Sequence, residues 1–137
     1  MYNLKRFIDA QERDYETALK EIKSGRKRSH WIWYIFPQLK GLGSSMTANY
    51  YGIENEEEAR LYIENEYLRN HLLEITKCLY ELNENDISFV MGYPDDLKLK
   101  SSMTLFDYVS DYDIFYKVLE KYYKGQRDEY TLRLINK

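Results

Sequence analysis

Apolar residues recur at helical spacing through most of this chain, and this periodicity restricts its fold more than any other feature. Phe7, Ala18 and Ile22 fall on one face of a first predicted helix. A second long apolar stripe runs from Leu68 to Leu82. No run of five or more residues alternates apolar and polar side chains as a half-buried strand would. The pattern predicts an all-α, multi-helical fold.

Short polar residues and a proline mark where these helices begin and end. An asparagine or aspartate is placed to cap the start of several of them: Asn3, Asn55, Asp86, Asp95, Asp113 and Asp128. Polar Gln11 interrupts the first apolar stripe, which predicts a break near residues 11–14. The continuous apolar run from Trp31 to Phe36 predicts a buried short helix or strand that ends at Pro37.

Length and charge limit the class of protein. A chain of 137 residues is the size of one domain with its own core, so a single helical domain over residues 1–137 is expected. The net charge of -3 argues against nucleic acid as the partner. No apolar run approaches the roughly 20 residues that a membrane-spanning helix needs, and none resembles a signal peptide. Cys78 is the only cysteine, which fits a soluble protein of the reducing cytoplasm.

The stretch RKRSHWIWYIFPQ places a run of basic residues directly before both tryptophans of the chain. If Ser29 caps the following helix, the free backbone N–H groups lie beside Arg26 and Lys27 and form an anion site. The alternative is a solvated charge run whose aliphatic stems cover nearby aromatic rings. His30 is a candidate for proton transfer, or else a packed or surface histidine.

Two further stretches are candidates for a binding or catalytic site. In Gly41–Ser45 the glycines would let the backbone approach a ligand, and Ser44 and Ser45 add hydroxyl groups. The alternative is a simple loop, since the sequence lacks the GxGxxG spacing. In PDDLKLKSSMTLF a half-buried Asp95 or Lys98 would have a shifted pKa and could act as an acid or a base. The alternative there is a capped helix start with surface lysines.

Metal and serine-hydrolase chemistry are disfavoured. His30 and His71 are the only histidines, and no cluster of cysteine and histidine has metal-ligand spacing. No GxSxG nucleophile elbow occurs. The sequence therefore predicts neither a metal site nor a cofactor.

These stretches together resemble DUF1810, a bacterial family of unknown function. The shared blocks are RKRSHWIWYIFPQLKGLGSS, the segment Ala48–Ile53, the segment Glu58–Tyr62, and PDDLKLKSSMTLF. The resemblance implies a mainly helical fold and no established activity. The spacing of glycine, aspartate and small polar residues is also similar to that of the NADAR family, which acts on ADP-ribose-type compounds.

The leading hypothesis is a pocket for a small phosphorylated molecule, such as a nucleotide or an ADP-ribose derivative, that hydrolyses a glycosidic bond. The proton-transfer candidates are His30, Asp95 and Lys98. The binding candidates are Arg26, Lys27, Ser29, Trp31, Trp33, Gln38, Ser44, Ser45, Ser101 and Ser102. The alternative is a protein- or RNA-binding module without catalysis. A pocket predicts buried tryptophans, whereas a surface module predicts that Trp31, Trp33 and Phe36 are exposed.

Overall fold

Helices joined by short loops make up residues 2–136, the part of the chain that the computed structural model describes. The helices are α1 Lys5–Lys23, α2 Ile32–Ile35, α3 Met46–Tyr51, α4 Glu56–Glu64, α5 Glu66–Tyr80, α6 Ile87–Met91, α7 Asp95–Val109, α8 Ile114–Tyr123 and α9 Glu129–Ile135. One isolated parallel bridge joins Leu39 to Ile53, and no longer strand occurs within the described residues. The all-α prediction is confirmed.

Helix α7 lies at the centre of the fold, where it packs against α2, α4, α6, α8 and α9. All of its residues 101–106 are buried. A helix that is covered on every side shows no one-sided apolar pattern. The buried Thr104 hydroxyl is satisfied inside the same helix, because its Oγ1 donates to the Lys100 carbonyl oxygen at 2.8 Å, whereas the buried Ser102 hydroxyl has no partner within residues 2–136. This explains why SSMTLF mixes polar and apolar residues.

Three of the predicted helix caps are confirmed. Asn55 accepts a hydrogen bond from the Glu58 backbone N–H at 3.0 Å and begins α4. Asp86 caps α6, and Asp128 caps α9 by accepting from the Thr131 backbone N–H at 3.0 Å. These caps were predictable because donor and acceptor lie within three residues of each other.

Of the other three predicted caps, Asn3 and Asp95 are wrong, and Asp113 is confirmed in position only. Helix α1 begins after Leu4 without a side-chain cap, so Asn3 does not cap it. Helix α7 begins at Asp95 itself, again without a side-chain cap. Asp113 does occupy the position before α8, but its side chain makes no capping hydrogen bond. The Asp95 side chain is used instead in ion pairs with two lysines, which are described below.

The predicted break in the first helix is also wrong, because α1 is continuous across Gln11. The Gln11 side chain is 2% exposed and satisfied by hydrogen bonds. Its amide group donates to the Tyr34 carbonyl oxygen at 2.8 Å and to the Tyr62 hydroxyl at 2.9 Å, and its oxygen lies 2.9 Å from His71 Nδ1. A buried amide with this many partners joins helices α1, α2, α4 and α5 rather than interrupting one of them.

Candidate functional site

The first and last sequence blocks meet in space at a largely buried ion pair. Lys27 Nζ lies 2.7 Å from Asp95 Oδ2, and the Lys27 side chain is only 6% exposed. The Lys27 backbone N–H donates to the Val90 carbonyl oxygen at 2.7 Å, just before the turn that leads into α7. Lys27 therefore fastens the loop that follows α1 to the start of the central helix.

Asp95 is shared between two lysines. Its other oxygen, Oδ1, lies 3.2 Å from Lys98 Nζ, one turn further along α7. The same ammonium group lies 4.9 Å from the centre of the Trp33 ring, within the range of a cation–π contact. Asp95 thus orients Lys98 over the face of Trp33, which brings a cation and an aromatic surface together.

A cleft of about 420 Å³ opens beside these residues, and we call it the Trp33 cleft. Apolar side chains form part of its wall: Trp33, Leu42, Pro94, Leu97 and Tyr130. Polar side chains form the rest: Gln38, Lys98, Lys100, Ser101 and Asp128. Two lysines against one aspartate make the lining positive overall. Ligand sites typically combine an apolar wall with a few convergent polar groups in this way.

Gln38 contributes a buried amide nitrogen, Nε2, that has no hydrogen-bond partner within residues 2–136. The residue is 2% exposed, and its Nε2 makes no hydrogen bond within residues 2–136. Buried side-chain donors are nearly always satisfied, so an unsatisfied one in the lining of a cleft needs an explanation. Thr76 Oγ1 and Ser102 Oγ also lack a partner, but of these three residues only Gln38 lines the cleft, where an acceptor on a bound ligand would reach Nε2 after a turn of the side chain.

The glycine loop at residues 41–45 packs against the tryptophan. A Cβ atom on Gly43 would lie 2.6 Å from Trp33 Cη2 and 2.8 Å from the Ala48 side chain, closer than atoms can approach. Glycine at this position therefore lets the loop contact the edge of the indole. Ser44 and Ser45 are exposed, and the Ser45 hydroxyl caps α3 through the Ala48 backbone N–H at 3.0 Å. Neither serine lines the Trp33 cleft, so their predicted contact with phosphate is not supported.

Four of the predicted site residues do line the cleft: Trp33, Gln38, Lys98 and Ser101. Lys27 and Asp95 lie directly behind Lys98 and position it. Ser102 is fully buried in the core of α7, and it is not part of the cleft lining. Arg26 and His30 are exposed and lie outside the lining, with the Arg26 guanidinium 5.2 Å from the Phe89 ring centre. His30 is therefore not among the residues that line the cleft.

The predicted anion site around Ser29 exists in a different form, because an internal carboxylate fills it. Ser29 does not cap α2, whose preceding residue is Trp31. The backbone N–H groups of Arg28 and Ser29, the Ser29 hydroxyl and the Trp31 indole N–H all donate to the carboxylate of Glu21, over distances of 2.5–2.9 Å. Trp31 is 1% exposed, so it cannot stack on a ligand.

These donors shift the ionisation of Glu21. Burial raises the pKa of Glu21, but the hydrogen bonds from Ser29, Arg28 and Trp31 outweigh burial and lower the pKa from 4.5 to about 2. The ionised carboxylate therefore fastens the Arg26–Trp31 loop to α1. A folded-state pKa below the unfolded one gives stability that is fully present above pH 4.5 and is lost as the pH falls toward about 2.

We predict that Glu21→Gln unfolds at a lower temperature than the wild type at neutral pH. The difference between the two melting temperatures should shrink as the pH falls from about 4.5 to about 2, because the wild-type carboxylate then becomes protonated. Thermal unfolding followed by circular dichroism across this range measures it. A difference that stays constant with pH would show that the charge of Glu21 contributes nothing.

Sequence reasoning missed Asp128 and Tyr130 as cleft residues, and it gave no binding role to four others that lie inside its candidate stretches: Leu42, Pro94, Leu97 and Lys100. Asp128 was predicted only as a helix cap, and a capping role does not by itself indicate contact with a ligand. Tyr130 is 66% exposed and stands on α9, far from the other cleft residues in the sequence. Only the packing of α9 against α7 brings both into the site.

Residues 2–136 contain neither a metal-binding cluster nor a membrane-spanning helix. No group of three or more histidine, cysteine, aspartate or glutamate residues is arranged to hold a metal ion in this part of the chain. No helix there is long and apolar enough to cross a membrane.

Comparison with known proteins identifies relatives without an assigned activity. A family model described as "Protein of unknown function (DUF1810)" matches residues 1–135. The crystal structure of the conserved hypothetical protein Rv1873 from Mycobacterium tuberculosis is similar to this chain, with 44% identity and a TM-score of 0.96 over 98% of this chain and 96% of that one. No curated protein matches the chain. Neither relative's description names an activity.

Proposed function

We propose that this chain, which belongs to the DUF1810 family, binds a small phosphorylated ligand with a flat ring in the Trp33 cleft. A nucleotide or an ADP-ribose-type compound has both features. The observation that carries the proposal is the Lys98 ammonium, which Asp95 holds 4.9 Å from the centre of the Trp33 ring in the lining of the cleft. The buried Gln38 Nε2 adds a second argument, because a buried donor without a partner costs about 1–3 kcal/mol and a ligand acceptor that reached it would recover that cost.

The charge of the cleft supports an anionic ligand. Lys98 and Lys100 both line it, and Lys100 has no carboxylate within ion-pair distance among residues 2–136. Hydrogen bonds from an ammonium group to phosphate oxygens are roughly twice as strong as those between neutral groups. Lys98, whose ammonium lies 4.9 Å from the Trp33 ring centre, is therefore the first group that would hold the phosphate, and Lys100, whose ammonium lies 5.9 Å from the Tyr123 ring centre, is the second.

The aromatic wall supports a flat ring. Trp33 is half-buried, and its ring forms one wall of the cleft beside Lys98. Stacking of a base on an aromatic side chain contributes about 1–3 kcal/mol and requires no particular base. A ring held on Trp33 with its phosphate near Lys98 would use both contacts at once.

Burial within the RKRSHWIWYIFPQ segment counts against a surface-binding module built on its aromatic residues. Such a module requires Trp31, Trp33 and Phe36 to be exposed, whereas Trp31 is 1% exposed, Phe36 is 0% exposed and Trp33 is half-buried. The rings of Trp31 and Phe36 pack in the core, with their centres 6.1 Å apart. Only Trp33 is left for recognition, and it lies in a cleft, which suits a small ligand better than a flat protein surface.

Hydrolysis of a glycosidic bond in the ligand is the reaction to test once binding is established. Of the predicted proton-transfer groups, only Lys98 lines the cleft, and it is ion-paired with Asp95. The geometry of the cleft supports ligand binding more directly than it supports catalysis. Incubation with ADP-ribose or a nucleotide, followed by chromatography of the products, would detect a released base or ribose phosphate.

We predict that ADP stabilises the wild-type protein and that Lys98→Gln weakens its binding about tenfold or more, because one charged hydrogen bond to phosphate is lost. A ligand at a hundredfold excess over its Kd adds about 2.7 kcal/mol to the free energy of unfolding, which a thermal-shift assay detects easily. Lys117→Gln is the matched control. Lys117 pairs with Asp113 at 3.3 Å, much as Lys98 pairs with Asp95, but it lies outside the cleft on α8.

Two results would contradict the proposal. One is a wild-type protein whose melting temperature does not respond to ADP, ADP-ribose or other nucleotides. The other is an equal loss of binding in Lys98→Gln and Lys117→Gln, because an equal loss would mean that nucleotides bind through general charge and not through the Trp33 cleft.

A further inference from the structure

The geometry points to Asp128 as a specificity-determining residue that accepts hydrogen bonds from hydroxyl groups of the ligand, and hence to a ligand with a ribose diol. The inference rests on the proposed function, since it concerns the same cleft. It adds a requirement that neither the lysines nor the tryptophan impose, because a phosphate and a flat ring also occur together in compounds that lack a sugar.

The Asp128 carboxylate uses only one of its two oxygens inside the protein. Oδ2 accepts from the Thr131 backbone N–H at 3.0 Å, from the Thr131 hydroxyl at 2.6 Å and from the Ser101 hydroxyl at 3.1 Å. Oδ1 makes no hydrogen bond to any of residues 2–136. An ionised carboxylate can accept about four hydrogen bonds, so Oδ1 has unused capacity in a residue that lines the cleft.

Capping of α9 explains why Oδ2 accepts hydrogen bonds, but it gives no role to the second oxygen, Oδ1. The cap requires a single acceptor for the Thr131 N–H, and serine or asparagine provides one equally well. Asparagine in particular would keep that acceptor and place no negative charge beside the lysines of an anion-binding cleft. The charge at Asp128 therefore has a cost for phosphate binding that helix capping alone does not offset.

Asp128 is held in a fixed position, as recognition requires. Its backbone N–H donates to the Thr104 hydroxyl at 2.9 Å, and Thr104 is fully buried in α7 and donates in turn to the Lys100 carbonyl oxygen at 2.8 Å. Hydrogen bonds thus fix both the backbone and the side chain of Asp128 relative to the central helix. A carboxylate oriented by its neighbours binds a ligand group with little loss of entropy.

The charge of Asp128 selects the type of group that it can contact. A carboxylate repels phosphate oxygens, so the part of the ligand beside it must be uncharged and rich in hydrogen-bond donors. Two adjacent hydroxyl groups of a ribose present two donors to one carboxylate. The buried Gln38 amide in the same lining requires an acceptor, which ring nitrogens, hydroxyl oxygens and phosphate oxygens all supply. A ribonucleotide satisfies Gln38, the lysines and Asp128 together.

The test compares ADP with dideoxy-ADP, which keeps the base and both phosphates but lacks both ribose hydroxyls. We expect isothermal titration of the wild-type protein to show about tenfold tighter binding of ADP, the effect of losing hydrogen bonds to a charged acceptor. Asp128→Asn keeps the helix cap and should bind the two ligands with nearly equal affinity. Because the comparison of ligands on the wild type needs no variant, a folding defect in Asp128→Asn would not remove the test.

Each of the other three outcomes contradicts the inference. Equal binding of ADP and dideoxy-ADP to the wild type overturns the inference and leaves the phosphate and ring contacts of the cleft intact. Discrimination that persists in Asp128→Asn also overturns it, because another residue must then contact the diol. If the wild type binds neither ligand, the proposed nucleotide site is wrong and the inference is wrong with it.

Discussion

Glu58→Gln should lower the free energy of unfolding by about 3–5 kcal/mol, the usual cost of removing one partner from a buried ion pair. Glu58 Oε2 lies 2.8 Å from Arg6 Nη1, and the two side chains are only 1% and 7% exposed. The Arg6 guanidinium also donates to the carbonyl oxygens of Asn3, Tyr50 and Gly52. It joins the start of α1 to the end of α3 and to α4, so its charge cannot reach solvent when Glu58 is neutralised.

Glu56→Gln provides a matched control on the same helix. Glu56 pairs with Arg60 at the surface, where both side chains are more than a third exposed, and surface pairs of this kind contribute roughly 0.2–1 kcal/mol. Urea unfolding followed by circular dichroism compares the two variants. Similar losses of stability in Glu56→Gln and Glu58→Gln would contradict the assignment of a buried ion pair.

Asp95→Asn should destabilise the protein by about 3 kcal/mol, and it should also weaken ligand binding in the Trp33 cleft. Lys27 would then keep its charge in a position that is 6% exposed, with only neutral acceptors beside it, the Ser29 carbonyl oxygen at 2.5 Å and the new amide oxygen. Lys98 would lose the group that holds it beside Trp33. One substitution should therefore affect both stability and binding, because Asp95 joins the first and last sequence blocks.

Asp113→Asn separates this effect from the general loss of a carboxylate. Asp113 pairs with Lys117 at the surface and is 80% exposed, so its replacement should change stability by less than about 1 kcal/mol and leave ADP binding unchanged. Asp95→Asn with wild-type stability would mean that Lys27 does not depend on this carboxylate. Wild-type ADP affinity in that variant would mean that Lys98 is positioned without it.

Local signals made most of the helices predictable from the sequence. Asn55, Asp86 and Asp128 cap helices through N–H groups no more than three residues away, and an isolated peptide would contain the same partners. The apolar run at Trp31–Phe36 was predicted to be either a short helix or a strand. The structure shows that this run forms the helix α2. The sequence left both possibilities open because periodicity alone cannot distinguish a buried helix from a buried strand of this length.

Long-range partners account for the predictions that were wrong. Gln11 looked like a helix break because its partners are Tyr34, Tyr62 and His71, all distant in the sequence. Ser29 looked like a cap, but its hydroxyl donates to Glu21 on the preceding helix. In each case the polar side chain is satisfied by a long-range hydrogen bond, which the local sequence pattern does not reveal.

The candidate site was predictable in part. Trp33, Gln38, Lys98 and Ser101 belong to the two sequence blocks of unusual composition, and all four line one cleft. Asp128 and Tyr130 join them only because α9 packs against α7. His30 was selected for its chemistry, but it is exposed and is not among the residues that line the cleft.

The most direct test of the nucleotide site is a titration with ADP, followed by NMR of the indole N–H and side-chain amide signals of isotope-labelled protein. The chain contains two tryptophans, so one serves as an internal control for the other. We predict that the signals of Trp33 and of the Gln38 amide shift with saturation, while the Trp31 indole, which donates to Glu21 at 2.9 Å in the interior, stays unchanged. Trp33 and Gln38 signals that do not move, or that move no more than those of Trp31, would contradict a ligand site in the Trp33 cleft.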